Sequence, residues 1–142
     1  MAEVAAYEDA LTARALPLLA EVPGVRVAVP ADLTGRCSAV SFTVYGTHPH
    51  DVGQVLDERG AGVRVGHHCA RPAVRRRGIP ATTRASFSVS HTLEEVDALV
   101  AGVRAAQRYF GVRARRHALP PDRARVGARL PWSALQLLRL RS

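Results

Sequence analysis

The segment from Val63 to Arg84 holds the side chains best suited to chemistry. It reads Val-Arg-Val-Gly-His-His-Cys-Ala-Arg-Pro, then a basic run at Arg75, Arg76 and Arg77, then Gly-Ile-Pro-Ala-Thr-Thr-Arg. Cys69 follows His67 and His68 and precedes Ala-Arg-Pro, which puts it on a loop. Arg64, Arg71 and the run at 75–77 make its setting electropositive, and such a field lowers a thiol pKa and favours the nucleophilic thiolate. One reading of Cys69 is an activated nucleophile. The other is a small buried or incidental cysteine. Arg84 opens a strand on its polar face, where a guanidinium can hold a carboxylate through two parallel hydrogen bonds. It can equally be a surface arginine paired with an acid.

Histidines raise the question of metal. His48, His50, His67, His68 and Cys69 are suitable ligand types, but the spacings H-x-H and H-H-C lack the separations of structural zinc sites. Neighbours on an extended loop point opposite ways, so His67 and His68 are not expected to share an ion. Capping or hydrogen-bonding roles are expected, and no metal site.

The elements that must position these residues are readable from periodicity. Val4, Tyr7, Leu11, Ala15, Leu18 and Val22 recur at helical spacing, with Pro17 expected to kink or split the helix and Pro23-Gly24 to end it. A short strand is expected at 25–29. Residues 38–45 alternate, with Val40, Phe42 and Val44 on one side, as in a half-buried strand. Pro49 suits a first helical turn, Val52, Val55 and Leu56 its apolar face, and Gly60 its end. A strand over 62–65 leads into the cysteine loop. One or two helical turns follow over 72–77, closed by Gly78. Ala85, Phe87 and Val89 mark another strand. Thr92-Leu-Glu-Glu95 is a capping box that opens a helix lined by Val96, Leu99, Val100, Val103 and Phe110 and closed by Gly111. The expected architecture is α/β, a small sheet covered by helices.

The chain has 142 residues, about one domain. All of its 20 basic residues are arginine, so no mechanism can use a lysine amine from this chain. The charge is uneven. Residues 112–142 hold eight Arg and one acid, so the formal charge of +8 belongs mostly to an Arg/Pro-rich tail and the body over 1–111 is nearly neutral. That weakens a nucleic-acid reading, as does the scarcity of aromatics to stack bases. Within the tail, 131–140 with Trp132 can form a short amphipathic helix. No apolar run is long enough for a membrane span, no secretory signal is read, and Cys37 and Cys69 do not make a disulfide framework. A reducing, cytoplasmic setting is expected.

Five runs together resemble a known family: HPHDV at 48–52, LDERG at 56–60, VRVGHHCARP at 63–72, GIPATTRASF at 78–87 and HTLEEVDALV at 91–100. They are similar to the C-terminal part of group II (SUF-type) cysteine desulfurases, which are class V aminotransferase-like enzymes that use pyridoxal phosphate. The likeness extends from about Tyr7 to Gly111, and GHHCA is its specific part. It implies the small C-terminal domain of a fold-type I pyridoxal-phosphate enzyme. It also implies that Cys69 attacks the sulfur of L-cysteine, giving a persulfide and alanine, and that the sulfur passes to an acceptor protein for iron–sulfur cluster assembly. By the same resemblance Arg84 binds the substrate carboxylate, Arg64 lies near the substrate, and His67 and His68 support the loop. The family's Schiff-base lysine lies in a large domain, so cofactor binding by residues of this chain is not expected. Arg71, Ser90, His91 and Pro17 depart from the family's usual residues.

Three readings follow from that resemblance. The chain is a desulfurase domain that works with a lysine-bearing large-domain chain, a docking or persulfide-relay module for a desulfurase or sulfur acceptor, or a truncated remnant. An exposed apolar patch is expected near the Cys69 loop. Cys37, at a strand entry, reads as structural. Cys69 should therefore alkylate faster than Cys37 in the folded protein, measured by mass spectrometry of the two peptides over time; equal rates would count against an activated thiol.

Overall fold

A period-two apolar pattern at 38–45 decides the architecture. In the computed structural model, which describes residues 2–28, 38–76 and 78–111, this segment forms strand β2 (Ala39–Val44). Val40, Phe42 and Val44 are buried, and Ser41 and Thr43 face the other way. Cys37, Arg77 and the expected tail over 112–142 lie outside the described residues. The other strands are β1 (Val25–Val27), β3 (Arg64–Gly66) and β4 (Thr82–Ser86). They form one antiparallel sheet in the order β1-β2-β4-β3.

Register puts Val25 opposite Val44, Val27 opposite Phe42, Phe42 opposite Thr83, Val40 opposite Ala85 and Val65 opposite Thr83. That face packs against helices α1 (Ala2–Ala20), α2 (Pro49–Asp57) and α4 (Leu93–Tyr109). Leu11, Leu19, Val52, Leu56, Val96 and Val103 are fully buried there. Each such side chain contributes about 1.5–3 kcal/mol of transfer free energy. Tyr7 Oη donates to the His91 carbonyl (2.7 Å), and Gln107 Nε2 donates to the Pro23 carbonyl (2.6 Å). These two bonds pin α1 and α4 at corresponding ends, so the helices run the same way. Between them Arg14 forks onto Asp97 (2.7 and 3.1 Å) in an exposed ion pair.

Helix ends follow the expected chemistry. Pro49 opens α2, and the His48 ring accepts from the His50 amide. Gly60 has φ +77°, and its amide donates to Asp57 while Ala61 donates to Leu56. This is a Schellman end, which needs a left-handed residue. In α4, Thr92 Oγ1 accepts from the Glu95 amide and Glu95 Oε2 accepts from the Thr92 amide, the reciprocal capping box.

Four expectations need correction. Pro17 does not split α1, which continues to Ala20. Pro17 and Ala13, whose carbonyl loses its donor, both lie on the exposed side, where water can replace the bond. The buried face of α1 keeps the expected Leu11 and Ala15 but also takes in Thr12, Leu16 and Leu19, whereas Val4 and Tyr7 are exposed. Strand β4 starts at Thr82 and ends at Ser86, so Arg84 sits mid-strand and Val89 is exposed beyond it. Finally, Phe110 is 40% exposed, because α4 outlasts the surface it packs on. Among the described residues no helix is long and apolar enough to cross a membrane.

Close approach of α2 and α4 depends on Gly102. A Cβ there would stand 2.6 Å from Leu56 Cδ2, inside the fully buried core. Gly102→Ala gains helix propensity but overpacks the core, and a net loss of about 1 kcal/mol is expected. Urea unfolding with an unchanged m-value tests it; a stabilised variant would mean that Leu56 has room to repack.

Candidate functional site

Because α1, α2 and α4 cover one face of the sheet, the opposite face carries its polar side chains. Ser41, Arg84 and Arg64 form one row across β2, β4 and β3. Arg26 of β1 stands on the same face, opposite Thr43. Arg84 is half-buried and Arg64 exposed. Two guanidinium-bearing residues directly opposite each other repel. Among the described residues neither meets a carboxylate, and Arg84 Nε is buried with no hydrogen-bond partner. An arrangement with two cations and an unused donor suits an anion with oxygen acceptors.

Beside this row runs the turn that carries Cys69. The Ala70 amide donates to the His67 carbonyl (2.8 Å), closing a four-residue turn. Both central residues are left-handed, His68 at φ +50° and Cys69 at φ +60°. Positive φ at both positions is the type I′ pattern, usually filled by Gly or Asn. For other residues it costs about 1–2 kcal/mol each. The turn is held by what flanks it. On one side His68 Nε2 lies 2.8 Å from Thr82 Oγ1 and 3.2 Å from the Thr82 carbonyl. On the other, α3 (Arg71–Arg76) begins at once, with the Val74 amide bonded to Ala70 and Val74 buried. Gly78, φ +65°, ends α3 as expected. The result presents Cys69 to solvent as an exposed free thiol.

This is a tight turn and not the extended loop expected. It still separates the two histidines: the His68 ring turns in toward Thr82 while His67 stays exposed. His68 thus lies near Arg84 and Arg64 on the open face, with His67 and Cys69 on either side of it in the turn. His48 and His50 stack on each other at 5.3 Å, at the start of α2. Sequence reasoning left His68 without a firm role, and it missed Thr82 altogether. Only the Thr-Thr pair before Arg84 hinted at a buried polar partner.

The apolar cleft of the protein is not lined by the residues of the turn. A cleft of about 470 Å³ runs along Tyr45, Thr47, Ile79, Pro80 and Ala81, next to Thr82 in the chain. Among the described residues none of the large exposed hydrophobic side chains belongs to 67–70.

The family model for Aminotransferase class-V matches residues 1–99. The chain belongs to the class-V aminotransferase family. Over 111 residues, 78% of this chain, it is 54% identical to a probable cysteine desulfurase of Streptomyces coelicolor and 52% identical to probable cysteine desulfurase 2 of Mycobacterium leprae. Those matches cover 27% of each relative, so the chain spans about a quarter of the length of the curated relatives it matches. Among solved structures, the apo cysteine desulfurase of Thermococcus onnurineus matches with TM-score 0.67 at 39% identity, over 72% of this chain and 25% of that one. The cysteine desulfurase CsdA (S-sulfonic acid) of Escherichia coli matches with TM-score 0.64 at 34% identity, over 73% and 25%. The α/β fold with its small antiparallel sheet is therefore one that part of these desulfurases shares.

Burial holds the His68 pKa below its ordinary value of 6.5, and the positive charge of Arg84 adds to the effect; the hydrogen bond to Thr82 opposes it. The ring is therefore charged more readily in the unfolded chain than in this family's fold. Stability from this group is full above about pH 6.5 and is lost as pH falls through the lower folded value. Unfolding free energy measured between about pH 7.5 and 5 should fall with acid. His68→Gln, which cannot titrate, should show a shallower fall; parallel curves would remove His68 as the source.

Proposed function

We propose that this chain is the sulfur-accepting portion of a cysteine desulfurase, with Cys69 as the group that receives sulfur. The reading is carried by one juxtaposition: a strained turn exposes the Cys69 thiol, and the neighbouring ring is bonded to Thr82, two residues from Arg84, whose Nε is buried with no hydrogen-bond partner among the described residues. Identity above 50% to proteins named probable cysteine desulfurase supports it. Arg84 holds the carboxylate of L-cysteine by a forked contact, and Arg64, opposite it, adds charge. The Cys69 thiolate bonds to the substrate sulfur. The substrate's Cβ–S bond breaks with its electron pair left on carbon, and a proton there completes alanine. Cys69 is left as a persulfide, to be passed to a sulfur-acceptor protein of iron–sulfur cluster assembly. The body over 1–111 is the working domain, the group II assignment rests on the GHHCA run, and the setting is the cytoplasm.

Pyridoxal phosphate, which this reading implies, supplies the electron sink for such bond breaking. The residues of this chain do not fit its attachment. A Schiff base needs an amine that can lose its proton, and the chain's basic residues are all arginine, which stays charged. The cofactor must be held by polypeptide outside this sequence, either a large-domain chain or an intact desulfurase.

The test is purification of the chain with its partners from its native host, followed by radiolabelled L-cysteine. If a lysine-bearing chain and the yellow cofactor co-purify, label should appear on the Cys69 peptide. Arg84→Gln should lower labelling at limiting L-cysteine by about 10–100-fold, the weight of a charged forked contact. A yellow complex whose Cys69 stays unlabelled would overturn the reading.

A further inference from the structure

We propose that His68 is a positioning residue whose ring, clipped to Thr82, sets where the Cys69 sulfur stands relative to Arg84 and Arg64. The inference rests on the sulfur-acceptor reading of Cys69. It concerns a residue to which the chemistry above gives no task.

The clip has a defined polarity. Nε2 of His68 approaches both the carbonyl (3.2 Å) and Oγ1 (2.8 Å) of one residue, Thr82. A carbonyl oxygen only accepts, so the tautomer that satisfies it is the one in which Nε2 carries the hydrogen and donates toward both oxygens. Nδ1 then bears a lone pair, and it is buried with no partner among the described residues. Protonation would place a new N–H there with nothing to receive it. The charged and titratable groups facing the ring are Arg84 from β4, Arg64 from β3 and His67 from the turn, and none of them is an anion. A neutral ring with a fixed tautomer is the state this pocket selects.

The clip also has a defined reach. Thr82 and Arg84 are two apart on β4, so both side chains project from the same open face, about 7 Å apart along the strand. Holding residue 68 against Thr82 therefore fixes the next residue, Cys69, against the arginine row. Gly66, paired with Thr82 at the end of β3, and the start of α3 anchor the two ends of the turn, and the His68 ring ties its middle to β4. Among the described residues Cys69 makes no hydrogen bond to the sheet, and the helix that follows contributes Val74 outside the main core cluster. Left-handed conformation at both 68 and 69 is not what a His-Cys pair adopts unaided, so a turn without its clip relaxes away from this geometry.

The experiment compares alkylation of Cys69 by iodoacetate and by iodoacetamide, near pH 8, on the full chain. The two reagents differ in charge and little in size, so their rate ratio reports positive potential at the sulfur. Loss of the clip moves the sulfur from the arginine row, and His68→Ala should lower the ratio by about fivefold, the factor that one hydrogen bond carries. His68→Gln, whose amide can still donate to Thr82, should recover most of it. Thr82→Val, which keeps the carbonyl and loses Oγ1, should fall between them. Circular dichroism establishes that each variant is folded, and if His68→Ala is not, the Gln and Val variants carry the comparison. A folded His68→Ala with an unchanged ratio would overturn the proposal, as would equal losses in the Ala and Gln variants. Labelling by L-cysteine in the complex with a lysine-bearing chain separates the two readings. A ratio that falls while wild-type Cys69 takes no sulfur leaves the positioning intact and removes the acceptor role; uptake with an unmoved ratio does the reverse.

Discussion

Val40, Phe42 and Val44 of β2 are buried against the helices, and a side-chain period of two allows β2 one way to sit. A slip by one residue would bury Ser41 and Thr43 and expose Phe42. With β2 set, the pairing of Phe42 with Thr83 and of Ser41 with Arg84 sets β4, and β4 in turn sets β3. The positions of Arg84 and Arg64 are thus consequences of where an apolar stripe was buried. No contact between the two arginines could hold them there, since like charges across a strand pair repel.

The cost of that arrangement is borne by the core. The strain of two left-handed residues in the Cys69 turn falls on the same small sheet. Both burdens are local and lie on the open face, whereas the packed layer of α1, α2 and α4 on the sheet lies opposite. A fold that separates a buried face from a working face can tolerate poor electrostatics and poor backbone geometry on the latter. The buried apolar layer is what keeps the arginine row and the turn in register.

Legibility in the sequence followed the type of signal. Alternation at 38–45, the capping box at Thr92 and the terminal glycines at 60 and 78 each express a local rule, and each appears where expected. The start of β4 did not show, because Thr82 and Thr83 are buried without being apolar. Thr83 Oγ1 donates to the Pro49 carbonyl and Thr82 Oγ1 meets the His68 ring, so both hydroxyls are satisfied by residues distant in sequence. The face of α1 was ambiguous for a similar reason. Thr12 can be buried because its hydroxyl donates to the Glu8 carbonyl, and Tyr7 can be exposed because its own bonds to His91. At the site, residue type and neighbours left Cys69 and Arg84 with two readings each, and the family resemblance chose between them. The bond from His68 to Thr82 was not legible, since a partner fourteen positions away has no local signature.

Arginine in place of every lysine gives the open face its character. A lysine there could lose its proton and act as a base or nucleophile, whereas a guanidinium stays charged and presents planar donors in a fixed fork. On the proposed function, this chain supplies the permanent positive charge and the thiol of a sulfur-transfer site. Covalent attachment of an aldehyde cofactor needs an amine, and on that reading the requirement falls on another polypeptide. A division of this kind constrains geometry more than chemistry. On that reading the Cys69 sulfur has to arrive at a substrate held partly elsewhere, and a thiolate reacts only when it lies close and in line. A rigid tie between the turn and the arginine row would serve that need, because the row is the part of the substrate site that the proposal assigns to this chain. A flexible loop bearing the same cysteine would leave the approach of the sulfur to chance.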